Sequence, residues 1–345
     1  MVNEKVLTIV IPSYNTEKYI RDNIKTMTDC SHLDRLEILF INDGSKDRTA
    51  EIASEYEKKY PGIIRLVNKE NGGHGSVINR GIQEATGKYF KVIDGDDYVD
   101  SDSLDRLVEQ LAQTYVDVCV SDYYRISAVT HTVTHVSALK KDGNTYAYNT
   151  LYPIDSVLPH LEATIHGLTY RTQMLKDHYE QIRFSEKIFY EDNEYRLFPM
   201  IFASTALVSD SSVYYYVVDQ ANQSVSVVNQ QKRIGQLITV ARRMLAFYNE
   251  HFAHSAEYGK KQYAQFLISG VVYAVFEVYL TYSENLSVRK KELMQFDAEV
   301  KQSSVQIYQT AAGNRMIRLL RQSNFTLYRP MNVVLRWKIS RKKGK

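Results

Sequence analysis

The sequence predicts an open, doubly wound α/β sheet followed by a helical region. Four short apolar runs recur roughly 25–30 residues apart: Val6–Ile11, Leu36–Ile41, Ile63–Val67 and Tyr89–Ile93. They are nearly continuous rather than alternating, as strands buried on both faces of a parallel sheet require. Helical periodicity fills the gaps between them, the strand–helix alternation of a parallel sheet. From about Gln230 the strand signals cease and long helical periods take over.

Each element has a local reason. Asn15 or Thr16 is expected to cap a first helix with the stripe Tyr19, Ile20, Ile24 and Met27. Ser45 is expected to cap a second, with Asp47 in its first turn and Ile52, Ala53 and Tyr56 on one face. Pro61-Gly62 stops that helix, and Ser76 is expected to start a third whose N-terminus suits phosphate. Further helices are expected over Arg233–Phe252, Lys260–Tyr282 and Val288–Gln309. The apolar stretch Ala264–Tyr282 contains Glu277, and a charge inside a membrane span costs about 2.5–3.5 kcal/mol. It therefore reads as a buried or membrane-apposed helix.

The chain has 345 residues, 44% of them apolar, with six Pro, enough to bury a sizeable core in roughly two domains. Disorder and a disulfide mini-scaffold are excluded. Cys30 and Cys119 show neither metal spacing nor a disulfide framework, which suits a reducing compartment. The segment Met1–Lys5 has no basic region, apolar region or cleavage site, so the expected location is cytoplasmic. The net charge of +3 hides an asymmetry. After Glu299 there are eleven Lys and Arg and no acid, so the tail's +11 leaves −8 on residues 1–299.

Ligands bind open α/β sheets outside the carboxyl ends of the strands, and the polar clusters of this chain lie there. They are Pro12-Ser13-Tyr14-Asn15, Asn42-Asp43-Gly44-Ser45, Asn71-Gly72-Gly73-His74-Gly75 and Asp94-Gly95-Asp96-Asp97. Four at successive strand ends point to one shared site. Three neighbouring carboxylates after Val92-Ile93 are costly unless a cation neutralises them, and hard oxygens suit Mg²⁺ or Mn²⁺ beside a phosphate. The alternative is an Asp-Gly turn with a solvated acidic rim. Gly73-His74-Gly75 is followed by Ile78 and follows the third strand, and there is no Gly-Lys-Ser/Thr element; both argue against a dinucleotide fold and a P-loop.

These motifs, in this order over the first 100 residues, resemble the nucleotide-sugar glycosyltransferases of family 2, which have the Rossmann-like GT-A fold. The matching runs are Val10–Asn15, Ile41–Thr49, Asn71–Gly73 through Asn79–Ile82, and Val92–Asp97. The resemblance implies a GT-A catalytic domain over 1–229 and a helical C-terminal region over 230–345. Within the first, residues 1–100 would form the nucleotide-binding half and 101–229 the acceptor-binding half. It places Pro12, Tyr14, Asn15, Asp43, Gly73, Asn79, Asp94 and Asp96 at the nucleotide-sugar, and Asp96 and Asp97 at the metal, Mn²⁺ or Mg²⁺. Many relatives carry Arg where this chain has Ile78, so Arg80, Lys46 or the basic tail would have to meet the diphosphate.

An inverting transfer also needs a carboxylate to take the acceptor hydroxyl's proton, through an oxocarbenium-like transition state. Phe189–Tyr195 resembles the family's Glu-Asp motif, which makes Asp192 the base and Glu191 its orienting partner. The alternative there is a charged helix start. His166, in Ile165–Arg171, either touches substrate in the acceptor pocket or is a satisfied structural histidine. Tyr214-Tyr215-Tyr216, with Gln223-Ser224-Val225-Ser226, resembles a pocket-closing stretch, with sheet packing expected for at least two of the tyrosines.

The expected partners are a UDP-sugar donor and a glycan acceptor, on a surface polysaccharide or a lipid-linked oligosaccharide. Protein-linked glycan extension, a non-catalytic nucleotide-sugar-binding scaffold and a nucleotidyltransferase are the alternatives. Val333–Ile339 with Trp337 among basic residues suits the anionic inner face of the plasma membrane. No nucleic-acid module accompanies this charge, and a homodimer is admitted.

Overall fold

The computed structural model describes residues 4–140, 146–219, 227–253 and 255–343. The chain divides into two compact units, Met1–Ala221 and Asn222–Lys345.

In the first unit the four expected strands are present: β1 (Leu7–Ser13), β2 (Leu36–Asp43), β3 (Ile64–Lys69) and β4 (Tyr89–Val92). They run parallel in the order β3-β2-β1-β4, joined by helices α1 (Ile20–Thr28), α2 (Thr49–Lys59) and α3 (His74–Glu84). On one face, Leu7, Ile9 and Ile11 with Ile38 and Phe40 share a core with Ile20, Ile24 and Met27 of α1 and Ile52 and Ala53 of α2. Helix α3 covers the other face. A Cβ on its Gly81 would stand 2.7 Å from Val10 Cγ2, so only glycine lets the helix lie so close.

Beyond β4 the unit adds β5 (Tyr98–Val99), α4 (Ser101–Gln113), β6 (Val118–Ser121), β7 (Tyr123–Ser127) and β8 (Val133–Val136). Then come β9 (Thr150–Pro153), β10 (Leu168–Arg171), β11 (Thr205–Ser209) and β12 (Tyr214–Val218). The main sheet has eight strands, β3-β2-β1-β4-β10-β6-β11-β9, with β10 antiparallel to both of its neighbours. A four-stranded sheet, β5-β12-β7-β8, carries the tyrosine run.

Three local expectations are corrected. Helix α1 begins at Ile20 and α2 at Thr49, neither with a side-chain cap. Asn15, Thr16 and Ser45 instead tie the strand-end loops together: Asn15 N–H donates to Ser45 Oγ (3.0 Å) and Thr16 N–H to Thr49 Oγ1 (2.8 Å). Helix α3 starts at His74, two residues before Ser76, because Gly73 (φ 81°) already turns the chain into it.

The second unit is helical, with its main helices at Ile234–Phe247, Tyr258–Tyr279, Leu286–Ser303, Arg315–Gln322 and Tyr328–Lys343. The helix expected through Val288–Gln309 breaks at Ser304 (φ −152°, ψ 112°), whose hydroxyl accepts Ile307 N–H and caps the next helix, Val305–Ala311. A buried Arg321–Asp297 ion pair (2.7 Å) lies below Tyr308, with the guanidinium carbon 3.5 Å from the ring centroid. Ile268, Val272, Val275 and Phe276 of the apolar helix are fully buried. Among the described residues no helix is long and apolar enough to cross a membrane.

Candidate active site

The four polar loops follow β1, β2, β3 and β4 and meet along the carboxyl edge of the sheet. Pro12 is half-buried and Tyr14 is 50% exposed. Asn15 takes a left-handed conformation (φ 54°) and accepts Lys46 N–H at its Oδ1 (2.9 Å). Asp43 is buried, and its carboxylate accepts Lys69 Nζ (2.7 Å), Gly72 N–H and Gly73 N–H (both 2.8 Å). The residue expected at the nucleotide base therefore also folds the glycine loop.

Asn79, expected at the donor, holds the protein's own backbone in this structure. It is 2% exposed; its Nδ2 donates to the Phe184 carbonyl and its Oδ1 accepts Phe184 N–H, both at 2.9 Å. Both ends of the amide thus fasten a strap, residues 184–191, across α3. The strap fits tightly. Lys187 N–H donates to Gly72 O (2.6 Å), and a Cβ on Gly75 would lie 2.0 Å from Ser185 O. Arg80 is tied to Glu84 on the outer surface of α3.

The acidic loop after β4 is held from two directions. Asn23 Nδ2 donates to the carbonyls of Asp94 (3.1 Å) and Asp97 (2.7 Å). Tyr214 donates its hydroxyl to Asp97 Oδ2 (2.7 Å) and accepts Asp94 N–H (3.0 Å), while Val217 N–H donates to Asp97 Oδ1 (2.7 Å). Burial and the Asp94 charge push Asp96 up to about 6. Burial and both acidic neighbours drive Asp97 well above the carboxylate range. Asp94 moves the other way: burial opposes its charge, yet its hydrogen bond with His74 holds it below the usual value.

Two raised carboxyls beside an ionised one mark a field that a cation would relieve. Asp94, Asp97 and His166 each offer one ligand atom, and these atoms lie within 4.8 Å of one another. Two hard carboxylates and one imidazole fit Mn²⁺ or Mg²⁺. The geometry thus groups Asp97 with Asp94 and His166 rather than with Asp96, which is half-buried beside them. The His166 ring stacks on Tyr216 (4.3 Å between centroids) and meets Tyr214 edge-on (4.6 Å). Burial lowers its pKa to about 4, so it is neutral near pH 7 and keeps a lone pair to offer. Beneath it the fully buried Lys91 donates to the His166 carbonyl (2.7 Å), and burial lowers that lysine to about 8.

Across the edge stands the second acidic group. Tyr190, at φ 75°, turns the strap into the helix Asp192–Leu197, with Glu191 buried and Asp192 half-buried. Burial, reinforced by the Glu191 charge, raises Asp192 to about 6. Glu194 is fully buried and accepts Ser185 N–H and Oγ–H (both 2.7 Å), a structural role. Between the two groups lies His74, with Nε2 3.0 Å from Asp94 Oδ1 and Nδ1 2.7 Å from Glu191 Oε1. Burial works against a charge on this ring, but the contacts with Asp94 and Glu191 win and hold its pKa well above the ordinary value.

The sequence assigns no individual site role to His74, Lys69 or Lys91, and it offers Tyr214 only as part of a pocket-closing stretch. His74's only signal is its place directly after Gly72-Gly73. Tyr215 packs as expected between Tyr98 (5.3 Å) and Tyr124 (4.9 Å), whereas Tyr214 is buried with its hydroxyl in the acidic loop. Gln223–Ser226 lies outside the described residues.

Residues 8–176 match the family model of glycosyl transferase family 2. The chain is 37% identical over 123 residues to the uncharacterized glycosyltransferase EpsJ of Bacillus subtilis, covering 36% of this chain and 35% of that protein. It is 25% identical over 232 residues to glycosyltransferase GlyA of Streptococcus pneumoniae, covering 65% of this chain and 32% of that one. The matches thus span about a third of the length of these curated relatives. Among solved structures, S. aureus TarS 1–349 superposes with a TM-score of 0.63 at 17% identity, over 99% of this chain and 92% of that one. Its complex with UDP-GlcNAc gives a TM-score of 0.54 at 18% identity, over 92% of each chain. That likeness is one of fold, the GT-A-like arrangement of a large, mostly parallel sheet with helices. Residues 8–176 of the chain are thus a glycosyl transferase family 2 segment.

Proposed function

We propose that this protein transfers a hexose or N-acetylhexosamine from a UDP-sugar to a glycan acceptor with inversion at the anomeric carbon. One observation carries the reading: Asp94, Asp97 and His166, a set fitted to a divalent cation, face the Glu191–Asp192 pair along one sheet edge, with a single histidine between them. The UDP-GlcNAc complex of the TarS fold supports a UDP-linked donor. The exposed Tyr14 ring and the Asp43 carboxylate suit the nucleoside, and Gly73, Asp94 and Asp96 line the path to the diphosphate.

In this reading Asp192 accepts the proton of the attacking acceptor hydroxyl while the bond from C1 to the UDP oxygen breaks. Burial raises its basicity, which suits a base working near neutral pH. Mn²⁺ or Mg²⁺, held by Asp94, Asp97 and His166, would supply charge stabilisation for the departing diphosphate. Neutral His166, fixed by Lys91 and the tyrosines, shapes the wall of the site.

The glycan acceptor fits a surface polysaccharide or lipid-linked oligosaccharide assembled at the cytoplasmic face. The last helix supports a peripheral contact: Val333, Val334 and Trp337 are more than half exposed, beside Arg336, Lys338 and Arg341. A thermal-shift screen of nucleotide-sugars, followed by donor hydrolysis with and without Mn²⁺, tests the reading. Metal-stimulated UDP release is the expected result. Pyrophosphate release would indicate nucleotidyl transfer, and donor binding without release would indicate a scaffold.

A further inference from the structure

His74 is a polar side chain whose two ring nitrogens both face carboxylates. Its Nε2 meets Asp94, on the loop after β4, and its Nδ1 meets Glu191, on the strap, at 3.0 and 2.7 Å. Each ring nitrogen thus lies within hydrogen-bond distance of one carboxylate. The position is fixed by backbone. His74 is the first residue of α3; Gly73 lies under Lys187, and Gly75 under the Ser185 carbonyl, where a Cβ would lie 2.0 Å from the oxygen. Asn79 fastens the same strap one turn and a half further along the helix. The shorter contact is to the more deeply buried acid: the Glu191 side chain is 7% exposed and that of Asp94 28%.

We infer that His74 is a positioning residue that couples the two acidic halves of the site, setting Glu191, and through it the adjoining Asp192, relative to the Asp94 loop. This rests on the transferase reading only for its kinetic consequence; the coupling itself is a property of the fold. His74 moves no proton to or from substrate. It holds one carboxylate on each side at a fixed separation, so the proton acceptor and the donor-side acids keep their register.

The test compares His74→Gln and His74→Ala with the wild-type chain. Hydrogen bonds to charged groups are strong enough for a loss of about ten- to hundredfold. In metal-stimulated donor hydrolysis kcat should fall by that factor, with calorimetric UDP affinity and donor KM held within about threefold. His74→Gln keeps one donor and should retain more activity than His74→Ala. A kcat within twofold of wild type in His74→Ala overturns the inference, as does a loss of UDP affinity as large as the loss in kcat/KM. A second measurement needs no activity. The thermal shifts caused by Asp94→Asn and Glu191→Gln should be non-additive with His74 present and additive in the His74→Ala background. Additivity in both backgrounds overturns the inference. A wild-type chain that releases no UDP but shows the coupling overturns the transferase reading alone.

Discussion

Asn79→Ala separates two roles for a residue that sequence motifs place at the nucleotide. The substitution removes the Nδ2 donation to Glu186 Oε1 (3.2 Å) and both bonds to buried backbone, Asn79 Nδ2 to the Phe184 carbonyl and Phe184 N–H to Asn79 Oδ1, each 2.9 Å. Phe184 is 2% exposed, so its N–H and C=O are left without replacement partners in the core. A lost hydrogen bond that strands a buried group costs about 1–3 kcal/mol, and two together should cost about 3 kcal/mol once partial relaxation is allowed. For a unit of this size that corresponds to a fall in Tm of roughly 6–12 °C. Asn79→Asp keeps the acceptor for Phe184 N–H but turns a second acceptor toward the Phe184 carbonyl, so it should recover little. The assay is urea and thermal unfolding by circular dichroism, paired with UDP calorimetry. A stability change below about 0.5 kcal/mol together with lost UDP binding would refute the strap role and return Asn79 to the donor.

Asp192→Asn should bind UDP and lose transfer, and an active variant would remove it as the base. In the wild-type chain the rate should rise with pH through about 6, because the raised Asp192 carboxyl must be ionised to take a proton; a pH-independent rate from 5 to 8 would contradict this. Stability should run the opposite way. Asp96 and Asp192 titrate near 6 in the fold, so the native state binds extra protons between about pH 4 and 6. In chelator, Tm should therefore fall as pH rises through that window, and Mn²⁺ at pH 7 should restore part of the loss. A Tm that rises over the same window would refute the burial of uncompensated acid. Val334→Asp with Trp337→Ser should reduce co-sedimentation with anionic vesicles, and undiminished binding would reject the last helix as a membrane contact. Truncation after Glu299 is a poorer probe, since it removes buried Ile307, Ile317, Leu320 and Tyr328 and the Arg321 partner of Asp297.

Much of the first half was legible because its signals are local. Both-face burial forces continuous apolar runs, so β1 to β4 and their parallel pairing are legible in the sequence. Beyond them the strands are short, two to five residues, and several lie in mixed pairings such as β10 between β4 and β6. Runs of that length carry too little periodicity to distinguish from loop. The cap assignments missed for a related reason. Asn15 and Ser45 have the right side chains for caps, but loop-to-loop partners about 30 residues away compete for the same atoms, and those partners are invisible in a local window.

The sequence by itself determined the chemistry at the sheet edge: which loops are acidic, which are glycine-rich, and that a Glu-Asp pair follows much later in the chain. Tertiary structure alone decided how those groups are shared out. It fastened Asn79 to the strap, grouped Asp97 with Asp94 and His166, and put His74 between two acids that are 97 residues apart in the chain. The physical reason is that a residue's type sets what it can donate or accept, while burial and long-range partners set which of those capacities is already filled. His74 sits just past a glycine pair in the third polar cluster, and only the strap laid across α3 gives its second nitrogen a partner.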